Sequence, residues 1–329
     1  MSFFAVLFAL VLEQVKPLPR GNAIHDALTG WMGWTARNFD AGRDSHAWVV
    51  WCVTALAPAL LCWAAFVALV QVHALLGLVF DIAVLYLTLG FRQFSHYFTD
   101  IRDALDRGDE AEARSLLAEW RHLDASELPA SEFLRHLIEH SLLAAHRHVF
   151  GVFFWFVLLS SFGFGPAGAV LYRMAEFASR FWAYRSGHGE LAVNERLMAL
   201  AMRLFQLLDH VPARLTASGF AVVGNFEEAV NCWRRDAGLW KYANEGVILA
   251  AAAGAVGVRL GGGSAPGITP DRAKTFVAGA VPGLADAEGS TPGPPPQIAH
   301  LRSVVGLVWR SVVLWMLLLS LLSLAHLVG

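Results

Sequence analysis

An all-α fold, a polytopic helical integral membrane protein with amphipathic cytoplasmic helices and one broken or re-entrant segment, is predicted by three features of the sequence. Hydrophobic residues make up 56% of 329 and charged residues 16%, and mean hydropathy is +0.48, which is too apolar for an ordinary soluble domain. Several apolar runs reach or approach the ~20 residues that cross a bilayer. Between those runs apolar residues recur at three and four residues, with no strand-like alternation of any length.

Composition also removes function classes. A formal charge of −2, without a basic stripe interleaved with aromatics, excludes nucleic acid as a partner. Cys52, Cys62 and Cys232 are isolated and read as small buried hydrophobes, not as a disulfide framework or zinc site.

Along the chain, Met1 to Leu12 is apolar and short, lacks a positive leader, and is followed by Glu13, so it reads as an uncleaved anchor or a packed first helix. Ala47 to Leu69 and Leu75 to Phe91 are each long enough to span, joined by a tight turn at Gln71-Val-His73, with Trp48, Trp51 and Trp63 as interfacial anchors. From Arg92 to Arg147 charges alternate at helical spacing, with Leu105, Leu116, Leu117 and Trp120 on one side, the pattern of a solvated helical segment. Phe150 to Leu171 is apolar but interrupted by Gly163-Phe-Gly165-Pro166-Ala-Gly168, a bend expected to line a cavity.

Tyr172 to Lys241 is again polar, with Leu197, Leu200, Ala201, Leu204, Leu208 and Val211 at amphipathic spacing, and Pro212 is expected to break the helix there. Val247 to Val258, rich in Ala and Gly, packs closely or re-enters. A Gly- and Pro-rich stretch follows and reads as a mobile loop, and Ser311 to Val328 is a clear span. The segments are therefore 1–91 (N-terminal membrane helices with the 47–91 hairpin), 92–148 (polar helices), 149–260 (broken membrane helix, amphipathic helices and glycine motif), 261–300 (loop) and 301–329 (C-terminal transmembrane helix).

Three constellations carry candidate chemistry. His136-Leu-Ile-Glu139-His140 has the inverted zincin spacing, with His146 or His148 as a third ligand, but no cleft accompanies it and no metal site is assigned. Asp81 is an acid inside a span, suited to pairing with Arg310 or His73, or to a small transporter. Arg214 after Pro212, and Arg259 among glycines in GAVGVRLGG, combine positive charge with open backbone and suit phosphate or carboxylate.

PARLT at 212–216 and GAVGVRLGG at 254–262 resemble the motifs of the adenosylcobinamide-phosphate synthase family of cobalamin biosynthesis, CobD/CbiB. FFWF at 153–156, GPAGAVLYR at 165–173, Trp233-Arg-Arg-Asp236 and Asn244 extend the likeness over most of the chain. The resemblance implies an ATP- and Mg2+-dependent joining of adenosylcobyric acid to an aminopropanol phosphate through an amide. It places a ligand cavity at Gly165, Pro166, Tyr172, Arg173, Arg214, Asn244, Gly257, Arg259, Gly261 and Gly262, with Arg214 and Arg259 converging on it.

Family acids are replaced at Phe205-Gln206, at Leu249, and in Leu142-Leu-Ala-Ala-His146-Arg147, which leaves Glu176 and Asp209 as the catalytic candidates. The expectation is an anionic corrinoid or phosphorylated ligand with degenerate or altered catalysis, Mg2+ and ATP entering only with retained synthase activity, in a protein of the bacterial inner membrane whose partner is the lipid bilayer. The opening MSFFAVLFALVLEQ and LDHVPARL also resemble the AmpE branch, a membrane sensor linked to β-lactamase induction, which is the alternative.

Lysine and arginine counts set no orientation, with seven arginines between 92 and 147 and nine basic residues between 173 and 241, so the positive-inside rule has no asymmetry to act on. If the broken stretch 150–172 does not cross, both polar stretches are cytoplasmic. Cysteines introduced as Ser115→Cys and Ser186→Cys then label from the same face in intact cells; labelling from opposite faces overturns this topology.

Overall fold

The computed structural model describes residues 2–16, 23–40, 44–89, 91–121, 128–187, 193–262 and 289–328. Most of the expected 261–300 loop, residues 263–288, lies outside them. The helices are α1 (Ser2–Val15), α2 (Ala23–Phe39), α3 (Asp44–Trp51), α4 (Ala57–Val72), α5 (Ala74–Thr88), α6 (Phe91–Asp106), α7 (Glu110–Arg121), α8 (Ala130–Ala145), α9 (Gly151–Ser161), α10 (Ala167–Gly187), α11 (Glu195–Val223), α12 (Phe226–Asp236), α13 (Ala243–Val256) and α14 (Ile298–Val328). π-helical turns at Cys52–Leu56 and His146–Phe150 join α3 to α4 and α8 to α9. Among the described residues the only β pairing is a single antiparallel bridge between Gly261 and Ser290.

The chain divides into two compact units: Met1–Gln93, Arg147–Asp209 and Met316–Gly329 form the first, Phe94–His146 and His210–Trp315 the second. Three helices are long and apolar enough to cross a membrane, His46–Val72, Ala130–Ser161 and Ile298–Ala325. This corrects two expectations. The run from Leu75 yields only the shorter α5, because Leu89 turns extended. The polar stretch after Arg92 does not stay solvated to Arg147, because α8 buries most of its length: Glu132, Arg135 and Glu139 pair with one another on one face, leaving Phe133, Leu137, Ile138 and Leu142 to pack.

In the first unit α4 and α5 form the expected hairpin. His73 adopts an extended conformation between them, and its Nδ1 accepts the Leu75 N–H at 3.1 Å, capping α5. α1 packs along α5 as a first helix. Of the three tryptophans expected at an interface, Trp48 is exposed and Trp51 is buried.

The 163–166 bend joins α9 to α10, which pack against each other. Gly163 and Gly165 hold φ of +82° and +55°, which L side chains rarely adopt. A Cβ on Gly165 would also enter the Phe66 ring of α4.

The break expected at Pro212 does not occur: α11 runs through it for 29 residues. Proline removes the N–H that would bond the carbonyl four residues earlier, which belongs to Leu208. The Trp155 indole donates to that carbonyl at 3.1 Å, replacing the missing donor. Trp155 of FFWF thus serves the carbonyl of Leu208, 53 residues away and one turn before the proline of PARLT.

In the second unit α13 is buried along most of its length and packs on α12 and α8. Its small residues permit close approach. A Cβ on Gly246 would strike the Ala237 carbonyl, and one on Gly254 the Glu228 carbonyl.

Trp155→Phe, which orphans the Leu208 carbonyl, is expected to cost about 1–3 kcal/mol, read as a lower unfolding midpoint in detergent. In a Pro212→Ala background, where the backbone N–H returns, the same substitution is expected to cost far less. Equal losses in both backgrounds refute the assignment.

Candidate functional site

Within the first unit, charge gathers on α10. Glu176 is fully buried, and its carboxylate accepts from Arg173 Nη1 at 3.0 Å and pairs closely with Arg180. The spacing i, i+3 and i, i+4 places both guanidiniums on the face of Glu176. Ser179, also buried, donates to the Glu176 carbonyl.

One turn earlier, the buried Tyr172 hydroxyl donates to Asp209 Oδ1 of α11 at 2.7 Å. Its ring occupies the space that Gly151 leaves empty, where a Cβ would overlap it. Arg147, also buried, lies within electrostatic reach of Tyr172 and Arg180.

Burial lowers the pKa of Arg180, opposed by the attraction of Glu176, so the pair is mutually dependent. Three guanidiniums meet two carboxylates, a surplus of one positive charge in a low-dielectric setting, where such a surplus attracts an anion strongly. For a magnesium ion the fit is poor. Glu176 is held between two guanidiniums, and positive charges this close repel a divalent cation.

In the second unit the glycine motif is built differently from the open, donor-rich loop expected. Gly257 closes α13 in the left-handed conformation. Every N–H from 257 to 262 then has a partner within the unit: Gly257 and Val258 donate to Ala253, Arg259 to Pro294, Leu260 to Thr291 Oγ1, Gly261 to Glu139 Oε1 and Gly262 to Gly289.

The Gly261–Glu139 bond is 2.7 Å and buried. Glu139 is held in turn by Arg135 Nη1, at 3.1 and 3.2 Å to its two oxygens, while Arg135 Nη2 reaches Glu132 at 2.5 Å. Gly261 and Gly262 have φ of +71° and +94°, and a Cβ on Gly261 would strike the Gly289 carbonyl and the Trp240 ring. These glycines allow the 257–262 and 289–294 segments to clasp; what the loop leaves exposed is the Arg259 side chain.

Arg214 is half-buried, and its Nη1 donates to the His210 carbonyl at 2.8 Å and to Asn244 Oδ1 at 3.1 Å. Asn244 lies in the first turn of α13 and Arg259 just beyond its last. The fourteen residues of α13, at 1.5 Å each, separate its two ends by about 20 Å. The expected convergence of Arg214 and Arg259 on one pocket is therefore corrected: they stand at opposite ends of α13.

The structure thus joins Tyr172 to Asp209, Arg173 to Glu176, and Arg214 to Asn244. Gly165 and Pro166 shape the bend that starts α10. Of the H-x-x-E-H histidines, His136 Nδ1 lies 3.9 Å from Glu139 Oε2 while His140 packs edge-on to Trp120 at 4.5 Å; His146, the expected third ligand, has its Nδ1 on Thr216 Oγ1 at 2.9 Å. Among the described residues no three His, Cys, Asp or Glu are grouped to hold a metal.

Asp81 is buried on α5, which packs on α1 with its own buried Glu13, while Arg310 donates to Gly306 of its own helix. Sequence reasoning misses Arg180 and Arg135, and it places Glu139 only in the H-x-x-E-H pattern, not as the acceptor of Gly261. Arg180 was accessible in principle, four residues past an acid on an amphipathic helix. Glu139 was not, being 122 residues from its partner.

A family model described as CobD/Cbib protein matches residues 3–271. A cobalamin biosynthesis protein CobD of Stutzerimonas stutzeri is 34% identical over 285 residues, covering 86% of this chain and 84% of the relative. Another protein of that name, from Chromobacterium violaceum, is 36% identical over 193 residues, 58% of each chain. A third, from Pelobacter propionicus, is 26% identical over 271 residues, 80% of each. No solved structure matches the chain.

Glu139→Ala leaves Arg135 facing Glu132 alone and the Gly261 N–H without an acceptor. It is expected to destabilise the second unit by about 3–5 kcal/mol and to speed tryptic cleavage after Arg259, read by limited proteolysis. Glu139→Gln, which keeps an acceptor oxygen, is expected to cleave more slowly than the alanine variant; indistinguishable rates for all three proteins refute the clasp.

Proposed function

Because the chain belongs to the CobD/CbiB family, we propose that it is a multi-pass protein of the bacterial inner membrane that joins a corrinoid acid to an aminopropanol phosphate through an amide in cobalamin biosynthesis. ATP is the co-reactant, whose phosphoryl group carries off the carboxylate oxygen that the amine displaces. The observation that carries this reading is the gathering of three guanidiniums, Arg147, Arg173 and Arg180, around the buried Glu176. Both partners of that reaction are anions, one a carboxylate and the other a phosphate, and forked guanidiniums suit both. In this role the arginines bind and orient the anion, Glu176 holds them in register, and Tyr172 fixes the carboxylate of Asp209. Arg214, held by Asn244 Oδ1, is a further guanidinium of the second unit.

Membrane insertion is supported by the outward apolar residues of the long helices. Leu60, Leu61, Val70 and Val72 on α4, and Leu317, Leu318, Leu321 and Leu322 on α14, are exposed, a larger apolar surface than water-soluble monomers carry. Lipid is the solvent that fits it. The relatives above carry a biosynthetic name, which favours this reading over the AmpE-type sensor. They lend no support to weakened catalysis either.

Expressed in a bacterium lacking its own adenosylcobinamide-phosphate synthase, the protein is expected to restore cobalamin-dependent growth. Arg180→Gln, which breaks a buried charge pair, is expected to weaken the activity by about 2–5 kcal/mol, with Arg180→Lys recovering part of it. Absence of rescue at a membrane protein level matching that of a rescuing relative rejects the synthase assignment.

A further inference from the structure

We propose that α2 lies on the membrane surface, with the Trp34 and Phe39 rings of α2 and Trp48 of α3 seated in the headgroup layer of the bilayer. The proposal rests on the membrane reading above and adds to it a helix that touches lipid without crossing it.

α2 has three distinct sides. Met32, Thr35 and Ala36 are buried and hold it to the first unit. Thr54 Oγ1 donates to Thr35 Oγ1 at 2.9 Å, the Trp31 indole to the Thr54 carbonyl at 3.4 Å, and the Trp182 indole of α10 to the Met32 carbonyl at 3.2 Å. Asp26 and Arg37, both exposed, share a second side, about 130° round the helix from Trp31.

The third side is aromatic. Trp34 stacks on Trp31 at 5.3 Å and meets Phe39 edge-on at 5.4 Å, and Ala27, Trp34 and Phe39 are exposed. Asn38, the polar residue among them, turns its amide back onto the Trp34 carbonyl at 2.8 Å.

The attachment point sets the depth. The helix His46–Val72 has 27 residues and is about 40 Å long, against a hydrocarbon core of ~30 Å. Centred on that core, it reaches about 5 Å into the headgroup layer at each end, and Trp48 lies in its first turn, exposed beside Val49. From His46 to Thr54 the rise is about 12 Å. α2, bonded at Thr54, therefore meets the span roughly 7 Å below the core boundary, within the ~5–10 Å to which surface helices sink an apolar side.

Lipid suits these rings. Exposed apolar area is unfavourable in water in proportion to its size, and tryptophan, with an apolar body and an N–H tip, concentrates where membrane meets water. α2 packs on α3, and that helix runs on into the exposed Leu60 and Leu61 of α4, so the bare rings are fixed to the head of a lipid-facing span.

The test places bimane on single cysteines of the full-length chain, with Cys52, Cys62 and Cys232 replaced by serine. The vesicles are phosphatidylcholine carrying a spin label either at the headgroup or deep in the acyl chain. On Ala27→Cys the headgroup label is expected to quench more than the deep one, on Leu61→Cys the order is reversed, and Arg37→Cys is quenched less than Ala27→Cys by both. Trp34→Ala with Phe39→Ala is expected to abolish headgroup quenching at Ala27→Cys while Leu61→Cys stays quenched; Trp34→Tyr, which keeps a ring with a polar tip, retains it.

Three results overturn the proposal: no quenching at Ala27→Cys beside a quenched Leu61→Cys, deep quenching there as strong as at Leu61→Cys, or quenching that survives loss of both rings. An unquenched Leu61→Cys rejects the membrane reading itself, and the proposal with it.

Discussion

The carboxylate of Glu176, wholly buried and gripped by guanidiniums one turn away on either side, is the interaction from which the chemistry of the first unit follows. An isolated carboxylate taken out of water costs several kcal/mol, and removing either arginine would leave that cost uncompensated. Pairing it locally, on one helix, lets α10 carry three charged side chains into a packed interior without depending on a distant element. Arg147 lies within electrostatic reach of the same pair, where its positive charge opposes that of Arg180. Tyr172 completes the arrangement: its ring uses the void over Gly151 and its hydroxyl orients Asp209.

The same requirement governs the backbone. Buried N–H and C=O groups must find partners, and in this chain side chains supply several that regular structure does not. Trp155 donates to the carbonyl left bare by Pro212, Thr291 accepts from Leu260, and Glu139 accepts from Gly261. The last of these ties a charge network on α8 to the loop after α13, so the position of Arg259 depends on Glu132, Arg135 and Glu139, none of which lies near it in sequence. Glycines in the loop serve close approach between two strands of chain, while those in α13 serve close approach between helices.

Much of the architecture was legible along the chain. Hydropathy located α1, the α4–α5 hairpin and α14, and the three- and four-residue repeat identified α11. His73 was readable as a turn and Gly163-Phe-Gly165-Pro166 as a bend, since glycine and proline act through their own backbone. Misreadings arose where a partner from elsewhere overrode local preference. Pro212 was read as a break because its compensating indole comes from another helix, and α8 was read as wet because its charges were counted singly instead of as pairs that shield one another. Arg214 and Arg259 share a motif-bearing region of sequence, yet α13 stands between them as a rod.

Composition and spacing by themselves determined that the chain is helical, where two of the three long apolar helices among the described residues fall, and which family motifs it carries, since each of these depends on residues within a few turns of one another. Only the tertiary structure decided which polar groups meet. Tyr172 finds Asp209 across 37 residues, Trp155 finds Leu208 across 53 and Glu139 finds Gly261 across 122, and such pairings are set by how helices pack, which no local pattern encodes.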